Sequence, residues 1–150
     1  MTHDLDDISV YACWTRLSET PEDIARMSMR FMQEFSTQIK TGPWEPLESE
    51  WDGTETGLVE VIKRNPITDD DGEPIPGDGY STTLNNDRGP LNTHFNVSAG
   101  EDQLFEQVAS PCFMQKYYHS EHASAGELWD ASVHAAVTAF DPAFAVGQER

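Results

Sequence analysis

Residues 80–99 constrain the fold most. YSTTLNN (80–86) and LNTHFNVSA (91–99) each alternate in side-chain character, and they flank the turn signal NDRGP. Successive side chains of a strand point to opposite faces, so this pattern predicts an antiparallel hairpin. ISVYACW (8–14) and CFMQKYY (112–118) are rich in β-branched and aromatic residues and predict two more strands; AFAVG (143–147) predicts a short last one.

Two other segments carry the helical period. In SETPEDIARMSMRFMQEFSTQI, Thr20 is placed to cap a helix, Pro21 to occupy its first position and Asp23 to complete a capping box. Ile24, Met27, Phe31, Phe35 and Ile39 follow as one apolar stripe, while Glu22, Arg26, Arg30 and Glu34 supply an outer charged face able to pair. In the second segment Ser124 and Glu127 have capping-box spacing, and Trp129, Val133, Ala136, Val137 and Phe140 form the expected stripe, closed by Pro142. LVEVIKRN (58–65) admits a short helix or a strand, and DQLFEQV is equally ambiguous. TGPWEPLESEWDGTETG (41–57) reads as a loop ordered by its tryptophans. A chain of 150 residues without internal repeat or linker predicts one α+β domain over residues 1–150. Its sheet is mostly antiparallel, with two main helices packed on one face.

Charge narrows the function. The chain has 27 acids against 9 Lys and Arg, a formal charge of −18. Such a surface repels nucleic acid and anionic membranes, so neither is an expected partner. No apolar run approaches the ~18–20 residues of a membrane span, and MTHDLDDISV lacks the basic and apolar regions of a signal peptide. Cys13 and Cys112 are far apart in sequence and form no C-x-x-C motif; the expectation is two free thiols in a cytoplasmic protein. The acids are also concentrated. Residues 41–87 hold twelve of them against Lys63 and Arg64, so this third of the chain carries −10. Solubility alone requires no such clustering.

A search for chemistry returns little. In NPITDDDGEPIPGDG (65–79), aligning Gly72 with the glycine of a calcium loop puts Asp69 and Asp71 at ligand positions. The first ligand position then falls on Ile67 and the bidentate one on Asp78, while Pro66, Pro74 and Pro76 interrupt the flanks. His119 and His122 are candidate metal ligands by residue type, but HSEH matches neither H-E-x-x-H nor H-x-x-E-H. There is no nucleophile elbow, Walker loop or dinucleotide fingerprint. Cys13, beside Trp14, reads as a packed small hydrophobe, and pairing of Cys112 with His94 or His134 is a spatial question. No cofactor and no enzymatic activity are expected.

The segments VYACWTRLSETPEDIARMSMRFMQEF, GYSTTLNN…THFNVSAG and ELWDASVHAAVTAFDPAFAVG occur in that order and resemble the bacterial immunity proteins of family fifty-two, which accompany polymorphic toxins. The resemblance covers the first ~45 and much of the last ~70 residues. It is carried by hydrophobic patterns with Tyr11, Trp14, Gly79, Tyr80 and Pro142, read as structural. Family members carry a Trp soon after the terminal Asp-Pro, where this chain has Ala143 and Phe144. The resemblance implies a small α+β protein, not an enzyme, that neutralises a cognate toxin domain, often a nuclease. A nuclease presents a cationic surface to phosphates, which an acidic inhibitor can occupy. The expected toxin-facing residues are therefore Trp44, Glu45, Glu48, Glu50, Trp51, Asp52, Asp69, Asp70, Asp71, Glu73 and Asp78. The competing expectations are an acidic secretion adaptor or chaperone, a small metal-dependent enzyme using His119 and His122, and a protein acidic for solubility alone.

Overall fold

The computed structural model describes residues 3–4, 8–14, 19–47, 49–75, 79–100, 111–142 and 144–149, with the backbone alone for 3–4 and 144–149. The elements run β1 (His3–Asp4), β2 (Ile8–Cys13), α1 (Pro21–Ser36), β3 (Glu45–Pro46), α2 (Glu55–Lys63), β4 (Tyr80–Asn86), β5 (Leu91–Ala99), β6 (Cys112–Ser120), α3 (Ala125–Phe140) and β7 (Phe144–Glu149). The five expected strands, with the two-residue β3 added at one edge, pair antiparallel in the order β3-β4-β5-β6-β2-β7, and β1 pairs with the far end of β6. The chain is thus α+β. The hairpin read from residues 80–99 places Leu84 opposite Phe95 and Tyr80 opposite Ala99.

Alternation along the strands gives the sheet two unlike faces. Val10, Ala12, Leu84, Phe95, Val97, Phe113 and Tyr117 are buried on one of them. The helices lie against this face. Phe31 of α1 is the centre of the core, with ring centroids 4.8 Å from Phe95, 4.6 Å from Phe113 and 6.1 Å from Phe140 of α3. On the other face Asn96 donates to Ser81 Oγ (3.0 Å) and Thr83 Oγ1 (2.9 Å), and Ser98 donates to Asn96 Oδ1 (2.9 Å), a half-buried polar ladder.

Both long helices begin as their sequences require. Thr20 Oγ1 accepts from the Asp23 amide at 3.1 Å, and Asp23 Oδ2 accepts from the Thr20 amide at 3.0 Å. Ser124 and Glu127 repeat the arrangement in α3. The charged face of α1 pairs differently from the expected intervals of four. Arg30 meets Glu34 at 3.1 Å, but Arg26 turns to Asp23 at 2.6 Å, drawing on the carboxylate that also closes the cap.

The stripe expected for α3 is rotated in the structure. Leu128, Ala131, Ser132, Ala135, Ala136 and Phe140 are buried, Trp129 and Val133 only partly, and Val137 is 49% exposed. Alanines let α3 approach α1 and the sheet closely, so the small side chains take the inner face. A pattern scored on bulky residues points to the neighbouring one. The ambiguous segment 58–65 is helical through Lys63 as the body of α2, which buries Leu58, Val59, Val61 and Ile62. DQLFEQV lies outside the described residues.

A chain of polar side chains crosses the core between α3 and the sheet. Tyr117 Oη hydrogen-bonds Ser132 Oγ, and Ser132 Oγ donates to Gln115 Oε1 at 2.7 Å. Gln115 Nε2 in turn donates to Thr93 Oγ1 at 3.2 Å, and Thr93 Oγ1 donates to the Lys116 carbonyl at 2.5 Å. Each hydroxyl donates its one proton, and Ser132 and Thr93 also accept, so each of these four buried side chains has a hydrogen-bond partner.

Candidate functional site

The acidic middle third is ordered onto one edge of the sheet. Asn86, fully buried at the end of β4, accepts from the Gly42 amide (3.2 Å) and donates to the Gly42 carbonyl (2.8 Å). This amide clamp holds the 41–47 segment against the strand. There β3 pairs Glu45 with Asn85 and Pro46 with Leu84, and the Leu47 amide donates to Thr83 O at 3.2 Å. The segment expected as a loop ordered by its tryptophans therefore adds a two-residue strand to the β4 edge, and its last residues open α2.

Beyond β3 the chain folds around Trp51 and Asp52. The Asp52 carboxylate accepts from the Thr54 hydroxyl at 2.6 Å and the Thr54 amide at 3.0 Å. These bonds, the hydroxyl's foremost, hold its pKa below the ordinary value, so it stays ionised. Thr54 caps α2 by accepting from the Gly57 amide at 3.0 Å, and its carbonyl accepts from the Trp51 indole N–H at 2.8 Å. Trp51 is fixed by its own loop and stays half-exposed.

Trp51 separates two concavities. Glu45, Pro46, Ser49, Glu50 and Asp52 join it around a cleft of about 630 Å³. On the other side, Met29, Met32, Pro43 and Trp44 help line an apolar groove along α1 of about 800 Å³. The facing cation is Arg88, 3.3 Å from Glu45. Both partners are well exposed, so this pair contributes little and leaves the cleft negative. The methionines escaped the sequence reading because Met29 and Met32 fall beside the apolar stripe of α1; their signal was their spacing of three along one flank.

Trp44 is corrected from its expected role. It is 9% exposed and packs against Phe31, Phe35 and Phe95, with its Phe95 centroid distance at 5.2 Å. Its neighbours Gly42 and Pro46 are tied to β4, and that tether draws the indole under α1. It is a core side chain whose rim touches the groove.

The acidic run DDDGE lies in a tight hairpin over residues 67–75, where the Ile75 amide donates to Ile67 O and the Asp69 amide to Glu73 O. The Ser81 amide donates to Asn65 O and the Ile67 amide to Gly79 O, both at 2.9 Å, so this segment leaves the same β4 edge that carries β3. At the tip Asp69 Oδ1 accepts from the amides of Asp71 (2.9 Å) and Glu73 (3.0 Å). The Asp69 carboxylate is thereby engaged by its own turn, while Asp70, Asp71 and Glu73 are exposed. The two acidic segments meet β4 at residues 84–85 and 80–81, roughly 14 Å apart at a strand's rise per residue. Glu48 and Asp78 lie outside the described residues.

The remaining candidates are not assembled. His119 and His122 are exposed, His122 lying 3.9 Å from Glu121, and among the described residues no three His, Cys, Asp or Glu side chains gather to hold a metal. His134 sits on α3, across the sheet from the Cys112 side chain. His94 accepts from or donates to Tyr118 Oη at 3.0 Å rather than meeting a thiol. Cys13 is half-exposed at the end of β2, not packed in the core as expected. No helix among the described residues is long and apolar enough to cross a membrane. No family model matches the chain, and no curated protein sequence matches it closely enough to mark a relative.

Proposed function

We propose that this chain is an immunity-type protein that binds and neutralises a basic toxin domain through the acidic β4 edge. The observation that carries the reading is the cleft itself. Glu45, Glu50 and Asp52 surround Trp51, with an apolar groove on its far side and Arg88 as the facing cation. A rigid, half-exposed indole between negative charge and apolar wall has the composition of an interface anchor: aromatic centre, charged rim. The acidic hairpin on the same edge extends the field, and a field of one sign steers a cationic partner to the cleft. A nuclease domain, built to hold phosphates, is the toxin class whose surface complements it.

The division of labour among the acids follows from their bonds. Asp52 and Asp69 hold their own loops together. Glu50, Asp70, Asp71 and Glu73 have no side-chain partner among the described residues, and Glu45 has only its exposed pair with Arg88, so these carboxylates can meet a partner's Lys and Arg. The deciding experiment co-expresses this chain in a sensitive host with the toxin domain encoded by the neighbouring gene. Survival with co-purification of the pair supports neutralisation; toxicity without rescue refutes it. Binding to a disordered or signal segment instead of the folded toxin domain indicates a secretion adaptor. Replacing Glu45 and Glu50 with Gln, Asp70 and Asp71 with Asn, and Glu73 with Gln is expected to slow association by about tenfold or more at low salt and flatten its salt dependence. Unchanged kinetics in that variant, with its fold intact by circular dichroism, dismiss the acidic edge as the docking surface.

A further inference from the structure

The two cysteines, 98 residues of chain apart, are brought face to face. Cys13 on β2 is the direct antiparallel partner of Cys112 on β6, so both side chains rise from the same face of the sheet, the one away from the helices. Both are half-exposed. One residue on, the Trp14 amide donates to the Pro111 carbonyl at 3.1 Å, which makes 14/111 a hydrogen-bonded position. Hydrogen-bonded and non-hydrogen-bonded positions alternate along an antiparallel ladder, so 13/112 is of the non-hydrogen-bonded kind. Cα atoms at such positions stand about 4.5 Å apart, inside the roughly 4.4–6.8 Å range that a disulfide spans.

From this register we infer that Cys13 and Cys112 form a paired dithiol, a modification site that closes to a cross-strand disulfide by exchange with a small-molecule disulfide such as oxidised glutathione. One cysteine thiolate attacks a sulfur of the small disulfide and expels one small thiolate, leaving a mixed disulfide on the protein. The other cysteine thiolate attacks the protein sulfur of that adduct, the Cys13–Cys112 bond forms, and the second small thiolate leaves. The two cysteines lose two electrons, the small disulfide gains them, and the two cysteine protons end on the two released small thiols. A Cα spacing at the short end of the disulfide range makes the bond strained and readily reduced, the property of labile rather than structural disulfides. Burial pushes both thiols above their ordinary pKa, and the neighbouring Cys13 pushes Cys112 further. The thiolate fraction is accordingly small at neutral pH, and closure accelerates with pH.

The test is mass spectrometry and thiol titration of the whole folded chain incubated with oxidised glutathione. The wild type is expected to lose about 2 Da and both titratable thiols, and to regain them with a reductant. Closure is expected to quicken about tenfold per pH unit between roughly pH 7 and 9. Cys13→Ser and Cys112→Ser are each expected to stop at the glutathione adduct. A wild type that keeps two free thiols, carries two glutathione adducts, or links only between molecules overturns the inference, and none of these readings depends on a variant folding.

Discussion

Ser132→Ala tests whether the polar chain crossing the core has the value its geometry assigns. Ser132 Oγ donates to Gln115 Oε1 and therefore receives the proton of Tyr117 Oη, and all three residues are fully buried. Alanine removes two hydrogen bonds at about 1 kcal/mol each. It also strands a buried phenol and a buried amide oxygen. Tyr117 Oη falls back on the Leu128 carbonyl at 3.4 Å, a long contact that recovers part of its loss. Gln115 Oε1 has no such alternative among the described residues. Leaving one acceptor unsatisfied costs a further ~1–3 kcal/mol, so the expected total is about 2–4 kcal/mol. In a chain of this length that lowers the thermal midpoint by roughly 5–12 °C. Urea denaturation followed by tryptophan fluorescence measures it directly, with the m-value unchanged. Tyr117→Phe alone is expected to cost less, and the double variant about 1 kcal/mol less than the two singles summed, since they share one bond. A Ser132→Ala loss under ~0.5 kcal/mol, or strict additivity with Tyr117→Phe, refutes the network.

Three further outcomes follow from other sites. Trp44→Ala is expected to cost about 3–5 kcal/mol by emptying a core position. Trp44→Phe is expected to be far milder, because the indole N–H is buried without a partner among the described residues; equal losses in the two variants contradict this. Gly79, at φ +83 and base of the acidic hairpin, gives a Cβ no room: it meets Ala99 O and comes within 2.6 Å of Gly100 O. Gly79→Ala is therefore expected to exceed Gly72→Ala, which shares a positive φ (+84) but has open space; about 1 kcal/mol is expected for the latter and at least ~2 kcal/mol for the former by urea denaturation. Burial, and then the Lys116 charge, lower the His94 pKa, so the folded state takes up its proton later than the unfolded chain. Stability from neutral His94 is complete above the ordinary His pKa of about 6.5 and is lost as pH falls through the folded value; an NMR titration midpoint at or above ~6.5 contradicts that sign.

Local pattern accounts for much of the fold. Capping boxes at Thr20/Asp23 and Ser124/Glu127, the stripe of α1 and the alternation of β4 and β5 are all properties of short segments. Hydrogen bonds within four residues and a two-residue side-chain period specify them without the rest of the chain. The clustering of acids in residues 41–87 was equally legible, because charge is additive along a sequence. What those acids do was not. Asp52 and Asp69 are spent on their own turns and Trp44 on the core, roles that depend on where backbone amides and α1 come to lie.

Sequence by itself determined α1, α3 and the five main strands, the antiparallel α+β class and the strongly negative middle third; α2 and β3 were not decided by it. Tertiary structure alone decided which flank of α3 turns inward, that both acidic segments share the β4 edge, and that Cys13 faces Cys112. The physical reason is range. Caps, periods and charge counts arise from neighbours in the chain, whereas these three arrangements are set by the register of strands and the closeness of helix packing, which join residues many tens of positions apart.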